Sequence, residues 1–232
     1  MNVLVLGGGG FLGSHMVERL LQEGHRVTVF DRQPLCELPR LRQAQPAVRS
    51  VAADFRDSEA LKAVLRGQQV VYHFIWAGSP AASWGRPEKE VEDNLGASLN
   101  LLQLAAEMGI RKLVFPSSGG TIYGPQAGAI TEGVLPRPVN PHGIMKLTVE
   151  HLLGYYRQAR GLGADIYRIG NAYGPRQPAD RPQGVVAAWV YRIIHSQPIH
   201  VYGDAETLRD YVHVQDVSEL MMWSLTCFPK IN

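Results

Sequence analysis

The chain has 232 residues, 45% of them hydrophobic and 19% charged, enough to bury one substantial core or one core with a small lobe. A formal net charge of +2 supplies no basic stripe for nucleic acid, although a phosphorylated small molecule stays compatible. The two cysteines, Cys36 and Cys227, lack the spacing of a metal knuckle, so free thiols in a reducing compartment, the cytoplasm, are expected.

Met1 to Leu6 carries no basic leader and no long apolar core, and no later run approaches membrane-spanning length, so neither a signal peptide nor a membrane segment is expected. Residues 3–6, 27–30, 48–52, 70–74, 113–116 and 166–169 are short and mostly apolar, which predicts buried parallel strands. Between them, residues 11–22, 58–65, 88–107 and 146–160 place apolar side chains at helical spacing. Repeated strand–helix units predict an α/β fold: a doubly wound parallel sheet with helices on both faces. After residue 169 the chain is rich in Gly and Pro as far as Pro182, then a helix near 184–195 and a strand near 199–202 are expected. Residues 171–210 are read as a small substrate-binding lobe on a main domain of residues 1–170. A strand at 211–214 and a helix at 216–227 are expected to return to that main domain.

Gly7, Gly10 and Gly13 stand between the first strand and the first helix with spacing G-x-x-G-x-x-G. Glycine lets the backbone turn tightly and approach a pyrophosphate, whose charge then rests on unpaired N–H groups at the helix N-terminus. This is a Rossmann-type dinucleotide loop; an ordinary strand–helix turn is the plainer alternative. Asp31 ends the second strand, where a carboxylate accepts both ribose hydroxyls and repels a 2′-phosphate, favouring NAD over NADP. Arg32 beside it argues the other way, and Asp31 would also serve as a turn cap. Asp54 is placed either to face the adenine amino group or to share the capping of the helix at Ser58 with Asp57.

Five segments together carry a resemblance. They are the glycine loop, Asp54-Phe55-Arg56-Asp57, Ser117-Ser118-Gly119-Gly120-Thr121-Ile122-Tyr123-Gly124, Asn171-Ala172-Tyr173-Gly174-Pro175-Arg176 and Arg209-Asp210-Tyr211-Val212-His213-Val214. In this order they resemble the extended short-chain dehydrogenase/reductase family, specifically its NAD-dependent epimerase/dehydratase group and the UDP-glucose 4-epimerase-like members. The resemblance implies NAD as cofactor, with Gly7, Gly10, Phe11, Leu12 and Gly13 around the pyrophosphate, Asp31 on ribose, and Asp54 and Phe55 near adenine. It implies a nucleotide-sugar substrate, a UDP-hexose first, whose phosphates meet Asn171 and Arg209 with help from Arg176. For Arg209 taken alone, a surface ion pair with Asp210 or Asp204 would be the better reading. Tyr123 and Tyr173 are phenols in motif positions that either pack or face the substrate.

The family signature is a Tyr four residues before a Lys on one helix, with a Ser or Thr on the preceding strand. Spacing of i, i+4 puts both side chains on one helix face. The Lys holds the nicotinamide ribose and lowers the phenol pKa, so that the phenolate takes a hydroxyl proton. Here Lys146 is present but the Tyr position is His142. Two readings stand: His142 serves as a neutral imidazole base of shorter reach, or the chain is a catalytically impaired homologue that still binds NAD and nucleotide sugar. Gly119 occupies the position of the usual Ser, which leaves Thr121 or Ser118 as the hydroxyl partner; a strand-end hydroxyl bonded to backbone is the alternative.

A 4-epimerase working through a 4-keto sugar is the leading expectation. A 4,6-dehydratase is less favoured, because Gly119-Gly120 lacks the Asp-Glu pair that elimination needs. The family pattern also implies a homodimer through helices 88–107 and 146–160. It implies a further strand and helices beyond the segment at Cys227, so the lobe is expected to be incomplete. The histidines, including His15, His73 and His213, show no metal-ligand grouping, and no metal is expected.

Overall fold

The computed structural model describes residues 1–41, 44, 47–126, 128–179, 184–199, 201 and 208–226. Six strands form one wholly parallel sheet: β1 (Asn2–Leu6), β2 (Arg26–Asp31), β3 (Arg49–Ala52), β4 (Val70–His73), β5 (Lys112–Ser118) and β6 (Gly163–Ile169). Their spatial order is β3-β2-β1-β4-β5-β6, so the winding direction reverses between β1 and β4. A crevice opens at such a reversal, at the carboxyl ends of the strands.

Side-chain alternation divides the core between the two faces. Leu4, Leu6, Phe30, Val71 and Phe115 bury one face together with α2 (Ser58–Leu65), α5 (Gly96–Glu107) and α6 (Pro141–Arg160). Val3, Val5, Val29, Tyr72 and Val114 bury the other, where Met16, Val17 and Leu20 of α1 (Phe11–Gln22) meet Val217 and Met221 of α8 (Val214–Met222).

Two helices differ from the periodicity. The expected helix 88–107 is preceded by the short α3 (Pro80–Ser83) and is interrupted: α4 (Pro87–Glu90) passes through a π-helical turn, Val91–Leu95, into α5. α6 starts five residues earlier than the expected 146, because Asn140 Oδ1 accepts the Gly143 N–H at 2.7 Å and Pro141 sits in the first turn. His142 is thereby helical.

The C-terminal part differs more. β7 (Asn171–Tyr173) and β8 (Tyr211–His213) pair with each other in a separate two-stranded parallel sheet. The strand at 211–214 therefore does not rejoin the main sheet, while the helix after it does pack there, on α1. The turn-away occurs at Gly170, where Asn171 N donates to Asp210 O at 2.9 Å. α7 (Val185–Ile194) buries none of its side chains. Of the expected strand at 199–202, Ile199 and Val201 are irregular, and His200 and Tyr202 lie outside the described residues, as does Cys227. Among the described residues no helix is long and apolar enough to cross a membrane.

The glycine loop is a packing requirement as well as a turn. A Cβ on Gly13 would lie 2.2 Å from Gly7 O, whereas one on Gly10 would meet that same oxygen at 3.2 Å. Gly13→Ala is expected to cost about 1–3 kcal/mol, the usual range for overpacking, and Gly10→Ala less. Urea unfolding measures both; equal effects would contradict this packing.

Candidate active site

The loop from Gly7 to Gly10 leaves β1 and turns at once, with Gly7 at φ +78° and Gly10 N donating to Gly7 O at 3.0 Å. It abuts the loop after β4, since a Cβ on Gly7 would lie 3.0 Å from Ile75 N. Gly10 is the N-cap of α1 and supplies no side-chain cap. The N–H groups of Phe11, Leu12 and Gly13, in the first helical turn, have no intrahelical acceptors. The result is a bare, positively polarised helix N-terminus behind a close-packed glycine turn, which fits a dinucleotide pyrophosphate.

Around its rim the carboxylate of Asp31 accepts the Gly9 N–H at 3.0 Å through Oδ2, placing it at the loop with one oxygen left to accept further donors. Arg32 is exposed beside it. Asp54 is bound by Arg56 through Nη2 at 2.9 Å, Nε at 3.0 Å and the backbone N–H at 2.9 Å, which hold its carboxyl down to about 2. The cap of α2 belongs to Asp57, which accepts from Glu59 N and Ala60 N. Phe55 is buried in the core, its ring 4.9 Å from that of His73.

The second half of the crevice surrounds Lys146. This lysine is buried; its Nζ donates to Pro116 O at 2.9 Å and lies 3.9 Å from the Trp76 ring centroid and 4.6 Å from that of Phe115. Burial lowers its pKa to about 7, against the pull of Glu90 and Glu150. One turn earlier on the same face, His142 is 8% exposed and stands edge-on to Trp76, ring centroids 5.7 Å apart. Burial first, and the Lys146 charge second, lower the imidazole pKa to about 4, so the ring is neutral. Glu90, 3% exposed, brings Oε1 to 3.7 Å from His142 Nδ1; with a neutral ring this is a carboxylate beside an imidazole rather than an ion pair.

Among the described residues, two buried hydroxyls here have no hydrogen-bond partner, Ser117 Oγ and Thr121 Oγ1. Thr121 is tied to the base position through Gly143, whose Cβ would lie 2.5 Å from Thr121 O. Alternation along β5 sends Ser117 to the same face as Phe115, beneath Lys146, and Ser118 to the opposite face. Ser117, Trp76, Glu90 and Asn94 were not singled out by the sequence. Ser117 was legible from strand alternation counted on from Phe115; the other three lie in no motif.

On the substrate side the residues are less drawn together. Asn171 is exposed and its Nδ2 donates to Asp210 O at 2.8 Å, and Arg209 is exposed with Nη1 on Leu208 O at 3.0 Å. Arg176 is instead engaged with α1: its Nη2 donates to Glu18 Oε2 at 2.6 Å and meets His15 Nδ1 at 2.9 Å. Tyr123 is buried, and its hydroxyl accepts from Arg168 Nη1 at 2.8 Å, in a chain completed by Glu150. Among the described residues no group of three His, Cys, Asp or Glu side chains could hold a metal.

The sheet order, the glycine cradle and the buried lysine define an α/β enzyme that binds a dinucleotide at the sheet's reversal point. The chain belongs to the NAD dependent epimerase/dehydratase family, whose profile matches residues 3–230, and NAD is its cofactor. The UDP-glucose 4-epimerase of Mycolicibacterium smegmatis is 32% identical over 94% of this chain and 71% of its own length. UDP-glucose 4-epimerase of Thermotoga maritima, solved with UDP-glucose, superposes with TM-score 0.90 at 33% identity, covering 97% of this chain and 73% of that one. The Thermus thermophilus UDP-glucose 4-epimerase, solved with NAD, gives 0.88 at 37% identity, covering 98% and 75%.

Lys146 makes a direct test of the buried site. Its folded pKa, about 7, lies below the ordinary 10.5, so the unfolded chain holds more protons between those values and stability rises with pH there. Below pH 7 the burial penalty is present in full. Lys146→Met is therefore expected to stabilise the protein more at pH 6 than near pH 10, read from urea midpoints; a pH-independent difference would contradict a buried ammonium.

Proposed function

We propose that the chain interconverts UDP-hexoses that differ in configuration at C4, through a 4-keto sugar. The observation that carries this reading is the pairing of His142 and Lys146 on one buried face of α6, beside the partnerless hydroxyls of Ser117 and Thr121. The relatives named above, which are UDP-glucose 4-epimerases, support the substrate class.

The chemistry that NAD supplies when bound is acceptance of a hydride from the sugar carbon and its return to the opposite face. Gly7, Gly10, Phe11, Leu12 and Gly13 would hold its pyrophosphate, Asp31 its adenosine ribose, and Lys146 its nicotinamide ribose. His142 takes the C4 hydroxyl proton as the carbon becomes a ketone and returns it on reduction. With its proton affinity lowered to about 4, the imidazole is too weak to ionise the alcohol beforehand, so proton and hydride leave in one concerted step. Thr121, and Ser117 behind it, donate to the sugar oxygen as it gains carbonyl character. Water is excluded by Trp76, which covers Lys146, and by the burial of His142. Asn171 and Arg209 would meet the nucleotide phosphates.

A second reading is favoured by one observation, the depth of His142. Its Nδ1 is sealed from solvent, and an imidazole reaches less far from its Cα than a phenol. On that reading the pocket binds but does not turn over.

Turnover of UDP-glucose and UDP-galactose by the NAD-loaded chain separates the two. If His142 is the base, His142→Phe loses about 10²- to 10⁴-fold in kcat, the usual contribution of general base catalysis. Unchanged turnover in His142→Phe would defeat the assignment, and activity confined to His142→Tyr would establish the binding-only reading.

A further inference from the structure

We infer that Glu90 is a positioning residue for His142: its carboxylate fixes the imidazole as the Nδ1–H tautomer and leaves the Nε2 lone pair for the reacting hydroxyl. The inference deepens the proposed function and rests on His142 being the base.

Glu90 is held from several sides. Oε2 accepts from Trp76 Nε1 at 3.1 Å and from Asn94 Nδ2 at 3.1 Å. Asn94 is itself fixed to the loop after β4, accepting from Ala77 N at 2.7 Å and donating to Ala77 O at 3.0 Å. Both side-chain donors go to Oε2, which turns Oε1 toward His142 Nδ1 at 3.7 Å. That ring nitrogen is buried and without a hydrogen-bond partner, whereas Nε2 is not sealed in this way. Gly78, at φ +86°, keeps the approach clear, since a Cβ there would lie 2.9 Å from Glu90 Oε1.

Chemistry decides which way the pair is wired. A carboxylate only accepts hydrogen bonds, so the imidazole atom facing it must carry the proton. Burial raises the Glu90 carboxyl above its ordinary value and Asp93 adds to this, against the Trp76 and Asn94 donors and the Lys146 charge, which favour the ionised form. Lys146 also keeps a positive charge near the ring, which opposes a second proton on His142. At 3.7 Å the contact is longer than a hydrogen bond, and the inference has it close in the occupied site; catalytic hydrogen bonds commonly tighten only when substrate binds. A π-helical turn follows directly after Glu90, with Asn94 inside it. Such turns recur at functional sites.

The test is ¹⁵N NMR of the full chain labelled at histidine, with and without NAD, with the His142 signals assigned by their loss in His142→Phe. The expected result is a proton on Nδ1 of His142 in the unmutated chain. It should shift toward Nε2–H in Glu90→Leu and also in Glu90→Gln, where Trp76 and Asn94 claim the amide oxygen and the amide NH2 is left facing Nδ1. Alongside, kcat for UDP-glucose should fall about 10- to 100-fold in both variants, with KM within about twofold, the scale of second-sphere losses around ligating histidines. An Nε2–H tautomer in the unmutated chain overturns the inference, as does a tautomer unmoved in folded Glu90→Leu. If Glu90→Leu does not fold, the tautomers of the unmutated chain and of Glu90→Gln decide. An Nδ1–H tautomer in a chain without turnover upholds the Glu90 contact and defeats the epimerase reading alone.

Discussion

An ammonium group buried away from water must be repaid by its surroundings, and Lys146 obtains this from one carbonyl and two aromatic faces. The partners come from two elements, Pro116 O and Phe115 from β5 and Trp76 from the loop after β4, and the lysine from a third, α6. Two carboxylates farther out, Glu90 and Glu150, supply the remaining negative potential. The need to surround one cation therefore fixes the spacing of strand end, loop and helix. Burial keeps the neighbouring His142 neutral, and a second positive charge beside Lys146 is disfavoured as well.

The glycine loop does the corresponding work at the other half of the crevice without any charge. Gly13 packs onto Gly7 O so closely that α1 is aimed at the place where a pyrophosphate belongs. Asp31 then ties Gly9 to the end of β2. One half of the site is thus made by omitting side chains, and the other by burying a charged one.

This division explains what could be read from residues alone. The strands, the helices on both faces and the loop at Gly7 to Gly13 are written in local patterns of period 2, period 3.6 and glycine spacing. Lys146 and His142 were legible through the Tyr-to-Lys signature that the family resemblance supplies, and the earlier start of α6 was present in Asn140-Pro141. The setting of the site was not legible. Trp76, Glu90 and Asn94 lie in no motif, and no local spacing announces that the loop after β4 brings Trp76 onto the other two. Phe55 and Tyr123, which stand in recognisable motifs, have structural partners that those motifs do not announce: one ring lies in the core beside His73 and the other hydroxyl holds Arg168. The pairing of β8 with β7 could not be foreseen either, since a three-residue strand carries too little pattern to name its partner.

A histidine in place of a phenol is the departure on which the chemistry turns. It exchanges reach for a ring nitrogen that a buried carboxylate can orient, and the concerted transfer proposed above needs that nitrogen to meet the sugar directly. The most direct measurement is a crystal structure of the chain with NAD and UDP-glucose. The expected result is the C4 hydroxyl about 2.6–3.2 Å from His142 Nε2, hydrogen-bond reach for a general base, with the hydroxyl of Thr121 on the same oxygen. A sugar seated with its C4 hydroxyl beyond that reach, and with neither direct contact nor a single bridging water to His142, would contradict His142 as the base.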